Sequence, residues 1–153
     1  MTLTDRFEVT RVINAPARQI FSLICDPKGH VAIDASGSLM GASGSPANAV
    51  GDTFVIHMDR AALNDYDLGL YDMTVTITAY DQDRFLEWQP SQSWAHVYGY
   101  RLNSADAGTE VTLYCDWSNV DQEWKDAGVF PVISESTLRA TLAILDRTIV
   151  PRG

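Results

Sequence analysis

Each of the three histidines in the sequence has neighbours at a spacing that carries chemistry. His57 and Asp59 form an H-x-D within an alternating stretch, so both side chains project to one face and the carboxylate is placed to orient or charge the imidazole. Phe54, Ile56 and Met58 claim the opposite, apolar face, which turns His57 and Asp59 toward solvent as a surface pair. His30 and Asp34 stand at i, i+4, a spacing that sets two metal-ligating groups on one helical face. No third ligand lies nearby in sequence, so a structural histidine is the favoured reading and no metal is expected. His96 shares its alternation parity with Tyr98 and Tyr100, which gathers a base of near-neutral pKa and two phenols on one face of a strand.

Other chemistries have no residues to support them. The sequence contains no GxSxG, GxxxxGK[ST], HExxH or GxGxxG, and Gly41-Ala-Ser-Gly44 is followed by neither Lys nor a helical pattern. Cys25 and Cys115 lie far apart with no CxxC or Cys/His cluster, which reads as two reduced, buried thiols. Glu87 and Arg101 have outward parity on adjacent strands and predict a cross-strand ion pair. Between Ala61 and Leu70 the chain is acidic and reads as a solvated loop, with a lid formed by Tyr66 and Leu68 as the alternative.

The elements that must position these groups are those of one domain spanning residues 1–153. The 153 residues are 46% hydrophobic and 20% charged, a soluble globular composition. Folding at this length buries about 70% of the surface of the unfolded chain, enough for a core with a cavity inside it. The net charge of −9, from 11 basic and 20 acidic residues, argues against nucleic acid and anionic membranes as partners. No apolar run approaches the length of a membrane span, and the N-terminal MTLTDRFEVTRVINAP lacks the apolar core of a signal peptide. The chain is read as cytoplasmic.

Alternation predicts a strand over residues 6–14, and Ala15-Pro16 then opens a helix with Ile20, Phe21 and Ile24 on its buried face. Asp26-Pro27 ends it, and a second short helix carries His30, Val31 and Ile33. Residues 36–51 are rich in small, turn-forming types and read as a short edge strand and a loop. Strands follow over 52–60, 71–80, 84–88, 96–103 and 110–117, an antiparallel meander. Pro131 then starts a long helix, along which Leu138, Leu142, Leu145 and Ile149 draw one apolar stripe.

This order, with Val12-Ile13-Asn14-Ala15-Pro16, Cys25-Asp26-Pro27, Val50-Gly51-Asp52-Thr53-Phe54, Arg84-Phe85-Leu86-Glu87-Trp88, Tyr98-Gly99-Tyr100-Arg101-Leu102, Gly108-Thr109-Glu110-Val111-Thr112 and the Leu138, Leu142, Leu145 stripe, resembles the START/pollen-allergen (SRPBCC) superfamily. Within it, the residues are most similar to the polyketide cyclase/dehydrase and lipid-transport branch. The resemblance implies an α+β helix-grip fold: a curved antiparallel sheet wrapped around a long C-terminal helix, with two short helices after the first strand and an apolar cavity between sheet and helix. It implies a cavity lining of Phe54, Ile56, Met58, Met73, Val75, Ile77, Trp88, Leu113, Cys115 and Trp117, with Tyr98 and Tyr100; the parity of His96 with these tyrosines then faces it to the cavity mouth, with a turn histidine as the alternative.

Three functions are open on these residues. A carrier or sensor would hold a small hydrophobic, lipid-like or polyketide-like molecule in the cavity without a cofactor. A polyketide aromatase/cyclase would use His96, Tyr98 and Tyr100 as acid-base groups, although the presence of only two lysines, Lys28 and Lys125, disfavours an acidic carrier protein as donor. A partner-binding regulatory module would have a filled interior and an exposed apolar patch. A homodimer through a sheet edge would be ordinary at this size.

Overall fold

The computed structural model describes residues 5–90 and 94–153; Met1–Thr4 of the N-terminal stretch and residues 91–93 lie outside the described residues. In chain order the elements are β1 (Arg6–Ile13), α1 (Ala17–Cys25), α2 (Pro27–Ile33), β2 (Leu39–Ser43), β3 (Thr53–Asp59), β4 (Leu70–Asp81), β5 (Phe85–Gln89), β6 (Val97–Ala105), β7 (Gly108–Asp116), α3 (Gln122–Asp126) and α4 (Glu135–Ile149). A 3-10 turn, Arg60–Leu63, separates β3 from β4. From β2 to β7 each strand pairs antiparallel with the next, and β1 returns to pair with β7, so the sheet runs β1-β7-β6-β5-β4-β3-β2. Helix α4 packs on one face of this sheet against β1 and β7, with α2 beside it against β2. The architecture is the α+β helix-grip fold. No helix among the described residues is long and apolar enough to cross a membrane.

Local chemistry explains most of the boundaries. The Asp26 carboxylate accepts the Lys28 N–H at 3.0 Å while Pro27 supplies the first turn of α2, so one Asp-Pro pair both closes α1 and opens the next helix. Helix α4 begins at Glu135 rather than at Pro131, because Ser134 provides the capping hydroxyl, 3.2 Å from the Thr137 N–H. Residues 131–133 instead run as loop, from which Val132 and Ile133 reach the interior cavity while Pro131 stays exposed. Leu138, Leu142 and Leu145 are buried as the stripe requires. Arg11, which shares parity with Val9 and Ile13 in β1, meets the buried Asp146 of α4 at 2.8 Å, so the polar member of an apolar face ties sheet to helix.

Two departures from simple alternation matter. The β4–β5 register slips between Ile77 and Ala79, a bulge that reverses the parity of the following residues. Tyr80, in the outward set by alternation, therefore packs on Phe21 of α1 with ring centroids 5.5 Å apart. The predicted Glu87–Arg101 pair does not form, since the register sets Glu87 opposite Gly99 and Arg101 opposite Phe85. Glu87 accepts from Thr78 Oγ1 at 2.8 Å and from the Tyr114 hydroxyl, and Arg101 lies 3.7 Å from Glu8. Tyr114 crosses the outer face directly over Gly99, where a Cβ would stand 2.3 Å from the phenol Cζ; only glycine fits beneath it.

Candidate functional site

Between the inner face of the sheet and helices α2 and α4 lies a cavity of about 460 Å³. Alternate residues of successive strands build its wall: Ile56 and Met58 from β3, Met73 and Val75 from β4, Trp88 from β5, Leu113 from β7. Tyr98 and Tyr100 come from β6, and His96 stands just before that strand. Leu138, Thr137 and Thr141 of α4 cover the opposite side, with His30 and Ile33 of α2.

Phe54, Ile77, Cys115 and Trp117, which the resemblance also placed in the lining, share the parity of the wall but do not reach the cavity. All are buried in the core. Phe54 stands behind His30, with ring centroids 5.3 Å apart, and Trp117 meets Phe7 of β1 edge-on at the same separation. Cys115 lies opposite Tyr98 in the register. Parity selects a face of the sheet, whereas the helices decide which length of that face stays uncovered.

The wall is an aromatic stack with polar edges. Trp88 stacks with Tyr98 at 5.8 Å and with Tyr100 at 5.6 Å, and His30 stands edge-on to it at 4.7 Å. His96 sits among Trp94, Tyr98 and Phe130, with centroids 6.0, 5.8 and 5.0 Å away. Burial pushes both imidazoles down to about 4, so each is neutral at neutral pH. Burial likewise raises the Tyr98 and Tyr100 phenols, helped by Cys115 in the first case and by Asp34 in the second. These four groups therefore offer hydrogen bonds without charge.

The cation of the site is Arg60, a residue that alternation assigned to the end of a strand and left without a role. The chain leaves β3 at Asp59, whose carboxylate caps the 3-10 turn by accepting the Ala61 N–H at 2.9 Å. This turn carries Arg60 into the cavity wall, where the residue is 8% exposed. Burial works against its charge, but hydrogen bonds to Asp65 and Tyr71 more than offset that and hold its pKa above the ordinary value. The Arg60 Nε donates to Asp65 at 3.1 Å, and the same contact holds the Asp65 carboxyl below the usual range. Tyr66 and Leu68, 48% and 56% exposed, border the cavity from this loop, and the Arg60 guanidinium lies 5.8 Å from the Tyr66 ring centroid.

The remaining histidine pairs resolve differently from their sequence spacing. His57 does face outward, but its partner is Asp72, directly across the β3–β4 pair, to which Nδ1 donates at 2.7 Å; Nε2 meets the Ser43 hydroxyl at 2.9 Å. Asp59 is occupied by its cap. Asp34 does not pair with His30 either, because its carboxylate gathers the backbone N–H groups of Ser36, Gly37 and Leu39 at 3.0, 3.0 and 3.2 Å. Among the described residues no group of three His, Cys, Asp or Glu is placed to hold a metal ion. Both cysteines are reduced and buried, with thiols pushed up to about 12 by burial.

No family model matches the chain, and no curated protein does. Solved structures resemble it. A protein of Chromobacterium violaceum superposes with a TM-score of 0.69 at 11% identity, over 96% of this chain and 99% of that one. A Mycobacterium smegmatis protein gives 0.62 at 18% identity, over 95% and 91%. An AHSA1-like protein of Aeromonas hydrophila gives 0.60 at 16% identity, over 97% of each chain. At these identities the likeness is one of fold.

Proposed function

We propose that this protein binds a small, largely apolar molecule in the cavity between sheet and α4, as a carrier or sensor. The observation that carries this reading is a 460 Å³ space walled by aliphatic and aromatic side chains, in which the imidazoles and phenols are uncharged at neutral pH. Small-molecule sites have this composition: broad apolar contact for affinity and a few polar atoms for orientation.

The same pKa directions weigh against an aromatase/cyclase that uses His96, Tyr98 and Tyr100 as acid-base groups. A general acid or base works best with a pKa near the operating pH, and burial moves His96 down and both tyrosines up, away from it. A regulatory module that binds a partner through its surface has no use for an unfilled interior, so the cavity weighs against that reading too.

The test is native mass spectrometry and thermal shift with fatty acids, sterols and aromatic polyketides, on the wild type and on Met73→Trp, which fills the cavity from β4. The expected result is a retained adduct and a raised Tm in the wild type, both lost in the variant. Absence of any adduct, or equal retention by the filled variant, would overturn the proposal.

A further inference from the structure

On the outer face of the sheet, Ser43 of β2, His57 of β3 and Asp72 of β4 stand side by side on three consecutive strands. His57 lies directly opposite Asp72, and its Nδ1 donates to the carboxylate at 2.7 Å. A carboxylate only accepts, so Nδ1 carries the proton, and in the neutral form of the ring Nε2 is then an acceptor. The Ser43 hydroxyl, 2.9 Å away, donates to it. Nucleophile, base and orienting carboxylate are each within hydrogen-bond reach of the next, which is the arrangement that activates a serine for attack on a carbonyl.

All three groups are open to a substrate. Ser43 is exposed, and the His57 and Asp72 side chains keep 43% and 67% of their surface. Gly41, paired with His57, sets no side chain against the ring; a Cβ there would stand 3.5 Å from Cδ2. Attack also needs a donor for the carbonyl oxygen as it becomes charged. β2 is the edge of the sheet, and the Gly44 N–H, next in the chain after Ser43, makes no hydrogen bond among the described residues. The surroundings restrict the substrate. Val55 lies opposite Ser43, and Leu70, 81% exposed, lies two residues from Asp72 on the same face, so an acyl group meets apolar side chains. Asp59, opposite Leu70, adds a second carboxylate and disfavours an anion. On an open sheet face such contact suits a short acyl chain.

We propose that Ser43, His57 and Asp72 form an esterase site for uncharged esters of short acyl chains, with Ser43 as nucleophile, His57 as general base and Asp72 as positioning residue. This adds an activity to the binding reading and does not depend on it. As Ser43 Oγ bonds to the acyl carbon, its proton passes to His57 Nε2. The bond from that carbon to the alcohol oxygen then breaks, and the alcohol leaves with the proton. Water repeats the sequence on the acyl-serine: it gives a proton to Nε2, and Ser43 regains it as the carboxylic acid departs.

The test substrate is p-nitrophenyl acetate, and a fluorophosphonate is the trapping reagent. The expected result is a burst of p-nitrophenol with an acetyl group on Ser43, and phosphonylation of the same residue, both located by peptide mass spectrometry. Ser43→Ala should lose acylation and label together, and His57→Gln should slow acylation about a hundredfold. Asp72→Asn should lower kcat with KM unchanged, a split that loss of a structural contact alone would not produce. Trapping is read on the wild type, so it stands whatever the variants do to folding. Wild-type turnover in Ser43→Ala, or a fluorophosphonate label absent from Ser43, would overturn the proposal.

Discussion

The neutral imidazoles of His30 and His96 make stability depend on pH in a definite direction. Their pKa is about 4 in the folded protein against an ordinary 6.5, so between those values the unfolded chain holds more protons than the folded one. Their contribution is therefore present in full above pH 6.5 and lost as pH falls toward 4. At 1.36 kcal/mol per unit, each is expected to lower stability by about 2 kcal/mol at pH 5. Urea unfolding at pH 7.5 and 5.0 reads the difference, and His96→Phe should abolish about half of it. A pH-independent midpoint would show that the rings are hydrated. Little of this was legible in the sequence: His96 stood out by its parity with two tyrosines, but the shift of its pKa comes from Trp94 and Phe130, which no local pattern brings to it. His30 read as a structural histidine because its place in the cavity wall depends on where the sheet lies.

At the scale of elements, alternation located the strands well and their positions along the cavity poorly. It placed Ile56, Met58, Met73 and Val75 together on one face because β3 and β4 pair without interruption there. It failed beyond Ile77, where the bulge turns Tyr80 inward, and at Arg60, where a capped turn replaces the end of a strand. That turn yields a prediction of its own. In Asp65→Ala the buried Arg60 guanidinium loses its carboxylate, and the loop from 61 to 69 is expected to exchange its amide hydrogens faster, at a cost of about 1 kcal/mol given the exposure of the pair. Unchanged exchange would mean that Tyr66 and Leu68 hold the loop without it. The tie between β1 and α4 behaves differently because one partner is deeply buried. Arg11→Ala leaves the Asp146 carboxylate, 3% exposed, facing only Arg152 at 3.5 Å, so a loss of about 2 kcal/mol and a fall in Tm of roughly 6 °C are expected in a thermal melt.

For the whole molecule, the net charge of −9 and the neutral interior act together. Asp34 and Asp72 border the cavity, and the buried Arg60 is neutralised by Asp65, so an anion gains no free cation inside and meets acid on approach. The carboxylate 2-naphthoate should bind at least tenfold more weakly than the uncharged 2-naphthol by calorimetry; the reverse order would show that Arg60 is available to an anion despite its pairing with Asp65. The fold as a whole was readable from the order of elements, since a one-sided long helix after an antiparallel meander has few other places to go. Which part of its inner face stays open was not, because that depends on where α1, α2 and α4 come to rest.

The stack that walls the cavity also has an optical consequence. Trp88 lies within 6 Å of two tyrosines, Tyr98 at 5.8 Å and Tyr100 at 5.6 Å, and is placed to collect their excitation and emit it beside the bound molecule. Trp94 borders the same space, whereas Trp117 is buried against Phe7 away from it. Filled and empty protein should thus differ in emission colour and lifetime through Trp88 and Trp94, with Trp124 edge-on to Trp94 at 5.6 Å, while Trp117, the fourth indole, stays constant. The protein carries, in its own side chains, both the indicator of occupancy and the internal standard against which to read it.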